Sequence, residues 1–99
     1  MIVLVDLKEG VSPEDYERWV RETYRPAVMT LSSIERWRGY RASALLGSEA
    51  APPHQYVVVV EIEDLEQLGR DMTDETLQAL LSQLHAFADV TQIMADRFA

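Results

Sequence analysis

Polar positions are sparse at the start of the chain: Ile2, Val3, Leu4 and Val5 run unbroken before Asp6, Leu7 and Lys8. A nearly continuous, β-branched apolar run predicts a mostly buried strand over residues 2–8, closed by Gly10. The period then changes. Tyr16, Trp19, Val20 and Thr23 recur at intervals of three and four, which places them on one face of a helix. Ser12 is suited to cap that helix, Pro13 to occupy its first position, and Asp15 to complete a capping box. Pro26 lacks a backbone N–H and is predicted to kink or interrupt the helix, with a second helical piece running to about Leu31.

From Ile34 to Leu46 the residues favour strand, with Trp37 and Tyr40 inside the run and Gly39 marking a bulge or a close backbone approach. Gly47 to Pro53 carries Gly, Ser, Ala and two prolines and reads as a loop. Residues Gln55 to Ile62, QYVVVVEI, form the clearest strand pattern in the chain. Asp64 is then placed to cap a short helix, with Gln67 in the reciprocal position and Gly69 at its end. Thr73 is expected to cap the last helix, helped by Asp74 and Glu75 near its positive end. Its apolar stripe is Leu77, Leu80, Leu81, Leu84, Phe87 and Ala88, and a weaker strand follows from Val90 to about Phe98.

The order strand, helix, strand, strand, helix, strand predicts one α+β domain over residues 1–99. With right-handed crossovers it gives a ferredoxin-like βαββαβ fold, a four-stranded antiparallel sheet with its helices on one face. Helices on one side cover only that side. Yet Val57 through Val60, like Ile2 through Val5, are apolar on both faces of their strands. The simplest cover for the second face is the sheet of a second copy, which predicts a homodimer closed as a dimeric α+β barrel.

Seventeen acidic residues against nine basic give a net charge of −8, which repels nucleic-acid phosphates and anionic lipid. No stretch approaches the roughly 18–20 apolar residues of a membrane span, and no basic, apolar leader pattern stands at the start, so a cytoplasmic location is expected. The absence of cysteine removes disulfides, thiolate nucleophiles and cysteine metal sites together. Eight of the nine basic residues are arginine, and four of these fall between Arg25 and Arg41. A solvated strand face is one reading of that basic region. The other is a clamp for a carboxylate or a planar ring, to which guanidinium is well shaped.

The reactive inventory is short. No glycine-rich phosphate loop points to a nucleotide, and the two histidines lack HxH or HExxH spacing, so neither a cofactor nor a metal is expected. His85 follows Leu81 by four residues at the edge of the apolar stripe, and Asp89 lies four residues further on. On a continuous helix that spacing would let Asp89 orient the imidazole as a general acid/base. His54 sits in a proline-containing loop, where it could form a pocket rim. Tyr16, Trp19 and Tyr24, with Trp37 and Tyr56 from strands, supply core burial and, in the rival reading, an aromatic cage for a flat ligand. Arg25 or Arg41 would anchor a carboxylate on that ligand.

The segments GVSPEDYERWVRETYRPAV, LSSIERWRGYRASALLG, APPHQYVVVVEIEDLEQLG and TLQALLSQLHAFAD together resemble the RedY/HapK-like proteins over nearly the whole chain. These are small dimeric α+β barrel proteins of bacterial prodiginine and bisindole pathways. The resemblance implies the same fold and a small aromatic heterocyclic substrate, but no defined catalytic motif. Three positions depart from the expected pattern: His54 in place of an aromatic residue, Val58 in place of an acidic one, and Val90-Thr91 in place of Asn-Pro. The implied function is cofactor-independent condensation, cyclisation or hydrolysis of a reactive heteroaromatic intermediate. Alternatives are a cofactor-free monooxygenase acting on an aromatic substrate and a non-catalytic binding protein.

Overall fold

The structure, a computed structural model, describes residues 1–99. Strands β1 (Ile2–Leu7), β2 (Ile34–Arg41), β3 (Tyr56–Ile62) and β4 (Ala88–Ile93) form one antiparallel sheet in the order β2-β3-β1-β4, as the order of elements predicts. Helix α1 spans Pro13–Trp19, a π turn follows over Val20–Tyr24, and α2 covers Arg25–Val28. Helices α3 (Leu65–Asp71) and α4 (Glu75–Phe87) link β3 to β4. No helix is long and apolar enough to cross a membrane.

The core lies between the helices and one face of the sheet. Val3 and Val5 of β1 and Tyr56, Val58 and Val60 of β3 alternate inward, where they join Tyr16, Val28, Leu77, Leu80 and Leu84 from the helices. The alternate positions, Ile2, Leu4, Val57 and Val59, point the other way and are half-buried. Strand register gathers them into two rows across the outer face, Arg38–Val59–Ile2–Ile93 and Tyr40–Val57–Leu4–Thr91. All four helices send apolar side chains to the opposite side, so this face has no cover from its own chain.

Local chemistry explains where the elements start and stop. Ser12 Oγ accepts from the Asp15 N–H, and Pro13 opens α1, as predicted; the Asp15 carboxylate does not reach back but accepts from Arg18. The Pro26 interruption takes the form of the π turn, in which the Arg25 N–H reaches the carbonyl of Val20 five residues back. Beneath the helices, Ser33 is fully buried and donates through both its hydroxyl and its N–H to Asp71, which fastens α3 to the start of β2.

Several boundaries differ from the sequence reading. Strand β2 ends at Arg41, opposite Tyr56 where β3 begins: the Ala42 N–H still donates to the Gln55 carbonyl, but the Gln55 N–H turns away to the Asp6 carboxylate and the ladder stops there. Its irregularity falls between Ile34 and Arg36, whereas Gly39 pairs in register with Val58 and accommodates the Trp37 ring instead. Helix α3 runs through Gly69 to Asp71, since Gly69 has ordinary negative φ. The Gln67 side chain donates to Asp71 rather than back to the cap. Asp74, not Thr73, caps α4 by accepting from the Leu77 N–H, while the Thr73 hydroxyl turns to the Arg70 carbonyl. Strand β4 is residues 88–93, not 90–98: it pairs residue for residue with β1, and β1 offers partners only from Ile2 to Leu7.

Candidate functional site

Two adjoining cavities occupy the space beside and beneath α1. The outer one, a chamber of about 520 Å³, opens between the α1–π segment and strands β2 and β3. Helical periodicity brings Glu17, Arg21 and Arg25 to its wall, and the inward alternation of β3 brings Tyr56 and Val58 to its floor. Trp37, Gly39 and Arg41 enter from β2.

Glu17 is the electrostatic centre of the chamber. Its side chain is only 17% exposed and accepts from Arg41 through both Nε (2.9 Å) and Nη2, and from the Tyr56 hydroxyl at 2.8 Å. Arg21, one turn along the helix, stands 3.7 Å away. The hydrogen bonds from Arg41 hold the Glu17 carboxyl below the usual carboxylate range against a partial desolvation. Burial and the bond to Glu17 push the Tyr56 phenol up to about 12, and burial raises Tyr16, whose ring lies 5.0 Å from that of Tyr56. Glu17 is therefore an anion and Tyr56 a neutral donor at neutral pH. Neither sits near the pH at which proton transfer is most efficient. The chamber is better suited to holding charge than to moving protons.

Its charge is unbalanced. Three guanidinium groups, Arg21, Arg25 and Arg41, line it against the single carboxylate of Glu17, in a chain of net charge −8. Arg25 donates from Nε to the Trp37 carbonyl at 3.2 Å and has no carboxylate partner. The inner cavity, about 220 Å³, lies between helices and sheet and is lined by apolar side chains apart from Gln92. Tyr16, Trp37 and Val58 belong to both linings and form the partition.

The other predicted site residues are placed elsewhere. Tyr24 lines the inner cavity, but Trp19 lines neither: it stacks on Tyr24 at 5.1 Å, meets Phe87 edge-on, and donates from Nε1 to Gln83. Helix α4 ends at Phe87, and Ala88 is already extended in order to pair with Leu7. Asp89 consequently joins β4 instead of continuing the helix, and the predicted His85–Asp89 hydrogen bond does not form. His85 is exposed, and the one side-chain bond made to it is from Lys8 Nζ to its carbonyl.

His54 has the partner that His85 lacks. Its Nδ1 lies 2.7 Å from Asp6 Oδ2, while the Gln55 N–H donates to Asp6 Oδ1 at 3.0 Å. The bond with His54, the largest effect, holds the Asp6 carboxyl below its ordinary range. Asp6 in turn pairs across the sheet with Asp89, so His54, Asp6 and Asp89 gather at one end of the outer face. His54 Nε2 makes no hydrogen bond within the chain, which leaves it available to a ligand. Nowhere do three His, Asp or Glu side chains converge as ligands for a metal ion.

The model of the family described as REDY-like protein HapK matches residues 1–98. The chain belongs to that family. Among solved structures, HapK from Hahella chejuensis is similar with a TM-score of 0.72 and 24% identity, covering 99% of this chain and 95% of that one. A protein from Arabidopsis thaliana matches with a TM-score of 0.75 and 14% identity over the same shares, 99% and 95%. An ethyl tert-butyl ether (ethd) family protein from Bacillus halodurans matches with a TM-score of 0.59 and 14% identity, covering 95% of this chain and 99% of that one. At these identities the likenesses establish the fold. A comparison with curated proteins gave no match.

Within this family fold the chamber brings together five of the ten residues singled out from sequence: Tyr16, Arg25, Trp37, Arg41 and Tyr56. The residue that sequence reasoning missed is Glu17. Its one local signal is Arg21 at i+4, while Arg41 and Tyr56, which fix its role, come from strands 24 and 39 residues away.

Proposed function

We propose that this family member is a cytoplasmic, cofactor-independent homodimer of bacterial secondary metabolism that holds a small aromatic heterocycle of bisindole or prodiginine type. It would assist condensation, cyclisation or hydrolysis of that intermediate by proton transfer. The observation that carries the reading is the chamber, where the faces of Tyr16, Trp37 and Tyr56 stand beside guanidinium groups in excess of carboxylate. Arg25 anchors an acidic group on the ligand, and the aromatic walls seat its ring. His54, oriented through Nδ1 by Asp6 with Nε2 open, is the acid–base candidate; it lies on the outer face of the sheet and lines neither cavity, so it would act only on a ligand group that extends out of the chamber past Tyr56.

A non-catalytic carrier is the second reading. It is favoured by Glu17 and Tyr56, whose proton affinities are driven in opposite directions away from neutrality. One experiment separates the two. The protein is incubated with candidate indolic and pyrrolic intermediates, with and without oxygen, and the mixture is followed by mass spectrometry. New product formed without oxygen supports the proposed function, and strict need for oxygen points to a monooxygenase. Tight binding without conversion selects the carrier.

A further inference from the structure

One wall of the arginine chamber is a sheet edge. Trp37, Gly39, Tyr40 and Arg41 reach it from β2, which pairs with β3 on one side and with nothing on the other. Beyond β4, residues 94–99 run on with no partner either. None of their N–H or C=O groups bonds to the rest of the chain; their one hydrogen bond runs from Arg97 Nε to the Ala99 carbonyl. Phe98 is 100% exposed and Met94 59%. The radius of gyration, 14.3 Å, exceeds the value of about 12.6 Å expected of a self-contained chain of this length. An open strand edge and an apolar ring standing wholly in water are both features that a second chain can cover.

We infer that residues 94–99 of each copy pair with the open edge of the partner's β2, so that each chamber is closed along that edge by the other chain. The inference rests on the homodimer of the proposed function and adds what the second copy gives to the site. Two four-stranded sheets laid face to face close into a barrel only if their strands tilt by roughly 35–45°. With strands about 4.8 Å apart and a rise of about 3.4 Å per residue, that tilt staggers one sheet against the other by about four to six residues. Seen from the helices with β1 pointing up, right-handed crossovers put β4 at the left edge and β2 at the right. Barrel strands climb to the right in that view, so the stagger slides β4 down along the partner's β2. Within one sheet Ile93 shares a row with Arg38. Across the seam it is carried past the partner's Arg41, and residues 94–99 come to lie beside the strand itself.

The side chains choose the register. Met94 lines the inner cavity on the helix side, so alternation puts Asp96 and Phe98 on that side and Arg97 on the outer face. Matching faces across the seam requires an even stagger, about four or about six residues. The smaller one sets Arg97 against the partner's Arg38, like charge on like. The larger one sets Arg97 beside the partner's Tyr40 and Asp96 beside the partner's Arg41, and lays Phe98 across the partner's Gly39, where no side chain blocks it. Opposite charges and an open glycine select the larger.

The chain contains no cysteine, so introduced pairs report on the seam directly. Tyr40→Cys/Arg97→Cys is expected to turn most chains into a covalent dimer on mild oxidation, since the inferred register brings the two Cα atoms within the roughly 4.4–6.8 Å that a disulfide spans. Within one chain these positions lie beyond opposite edges of the sheet and cannot join. Tyr40→Cys/Thr91→Cys, which would link β2 to β4 without stagger, is expected to stay unlinked, as is each single variant. Phe98 is fully exposed within its own chain, so Phe98→Asp costs an isolated copy nothing. In sedimentation it is expected to raise the dimer's dissociation constant about tenfold or more. A wild-type dimer in which Tyr40→Cys/Arg97→Cys fails to link, or Tyr40→Cys/Thr91→Cys links instead, overturns the inference and leaves the homodimer standing. So does an unchanged dissociation constant for a folded Phe98→Asp variant. A monomeric wild-type chain removes both.

Discussion

Tyr56 donates its phenolic hydrogen to Glu17 across 2.8 Å, linking residues 39 positions apart and fastening α1 to the strand beneath it. The same carboxylate accepts from Arg41, so helix α1 and both strands of the β2–β3 pair meet on one side chain. A double-mutant cycle with Glu17→Gln and Tyr56→Phe should return a coupling of about 1 kcal/mol in urea denaturation, the scale of one charge-assisted hydrogen bond discounted for partial exposure. Additive effects of the two substitutions would mean that the bond does not contribute in solution.

Acid should weaken the fold through three carboxylates. The Asp6, Glu17 and Asp71 carboxyls are all held below their ordinary values, chiefly by His54, Arg41 and Ser33 respectively. A depressed folded-state value means that the unfolded chain binds protons first. The stabilisation is therefore complete above the ordinary values of 3.8 and 4.5 and drains away as pH falls through the lower, folded values. Urea midpoints should stay level from neutral pH down to about 5 and then decline. Asp71→Asn should flatten part of that decline, and a midpoint that rises on acidification would contradict the assignment.

The rows Arg38–Val59–Ile2–Ile93 and Tyr40–Val57–Leu4–Thr91 leave an apolar strip open on the sheet, with Tyr40 and Ile93 51% and 45% exposed. The expected cover is a second copy related by a two-fold axis. Light scattering at micromolar concentration should give about 23 kDa, twice the 11.3 kDa chain mass. Val59→Asp should shift the mass towards one chain and lower stability at once, because core and interface lie on the two sides of one strand. A monodisperse wild-type monomer would remove the dimer.

The two histidines make opposite predictions. Neither histidine lines a cavity, but His54 is oriented by Asp6 and His85 has no side-chain partner, so His54→Ala should slow turnover of a converted intermediate by roughly 100-fold, while His85→Ala should run near the wild-type rate. Asp6→Asn should reduce the rate less and displace its pH profile, as expected of a positioning residue. The reverse ranking of the histidine variants would return the acid–base role to α4.

The hydrophobic pattern made the fold legible because burial on one face must repeat every second residue in strands and every third or fourth in helices. The leucines of α4 follow the helical spacing, and the unbroken Val57–Val60 run reads as a strand from its β-branched residues. Chain ends of elements were less legible, since they depend on partners. Strand β4 stops where β1 runs out, and α4 stops because Ala88 is needed opposite Leu7. That single transition separates His85 from Asp89 and carries Asp89 to Asp6. The aromatic and arginine walls of the chamber could be listed from sequence. Its anionic centre could not, because a glutamate on an exposed-looking helix position gains its role only when strands 24 and 39 residues away arrive.

The π turn at Val20–Tyr24 has a bearing on how this chain is lined up with its relatives. Tyr16 and Tyr24 both face the core, and Glu17 and Arg25 both face the chamber, each pair separated by eight residues. In a regular α-helix eight residues overshoot two turns by about 80°, whereas seven fall short by only about 20°. The wider turn makes eight residues do the angular work of seven. The segment is thus a regular helix into which one residue has been inserted, absorbed by a change of pitch instead of a loop. A relative lacking that residue would keep the same side chains facing the same cavities, and its alignment to this chain requires a one-residue gap between 20 and 24.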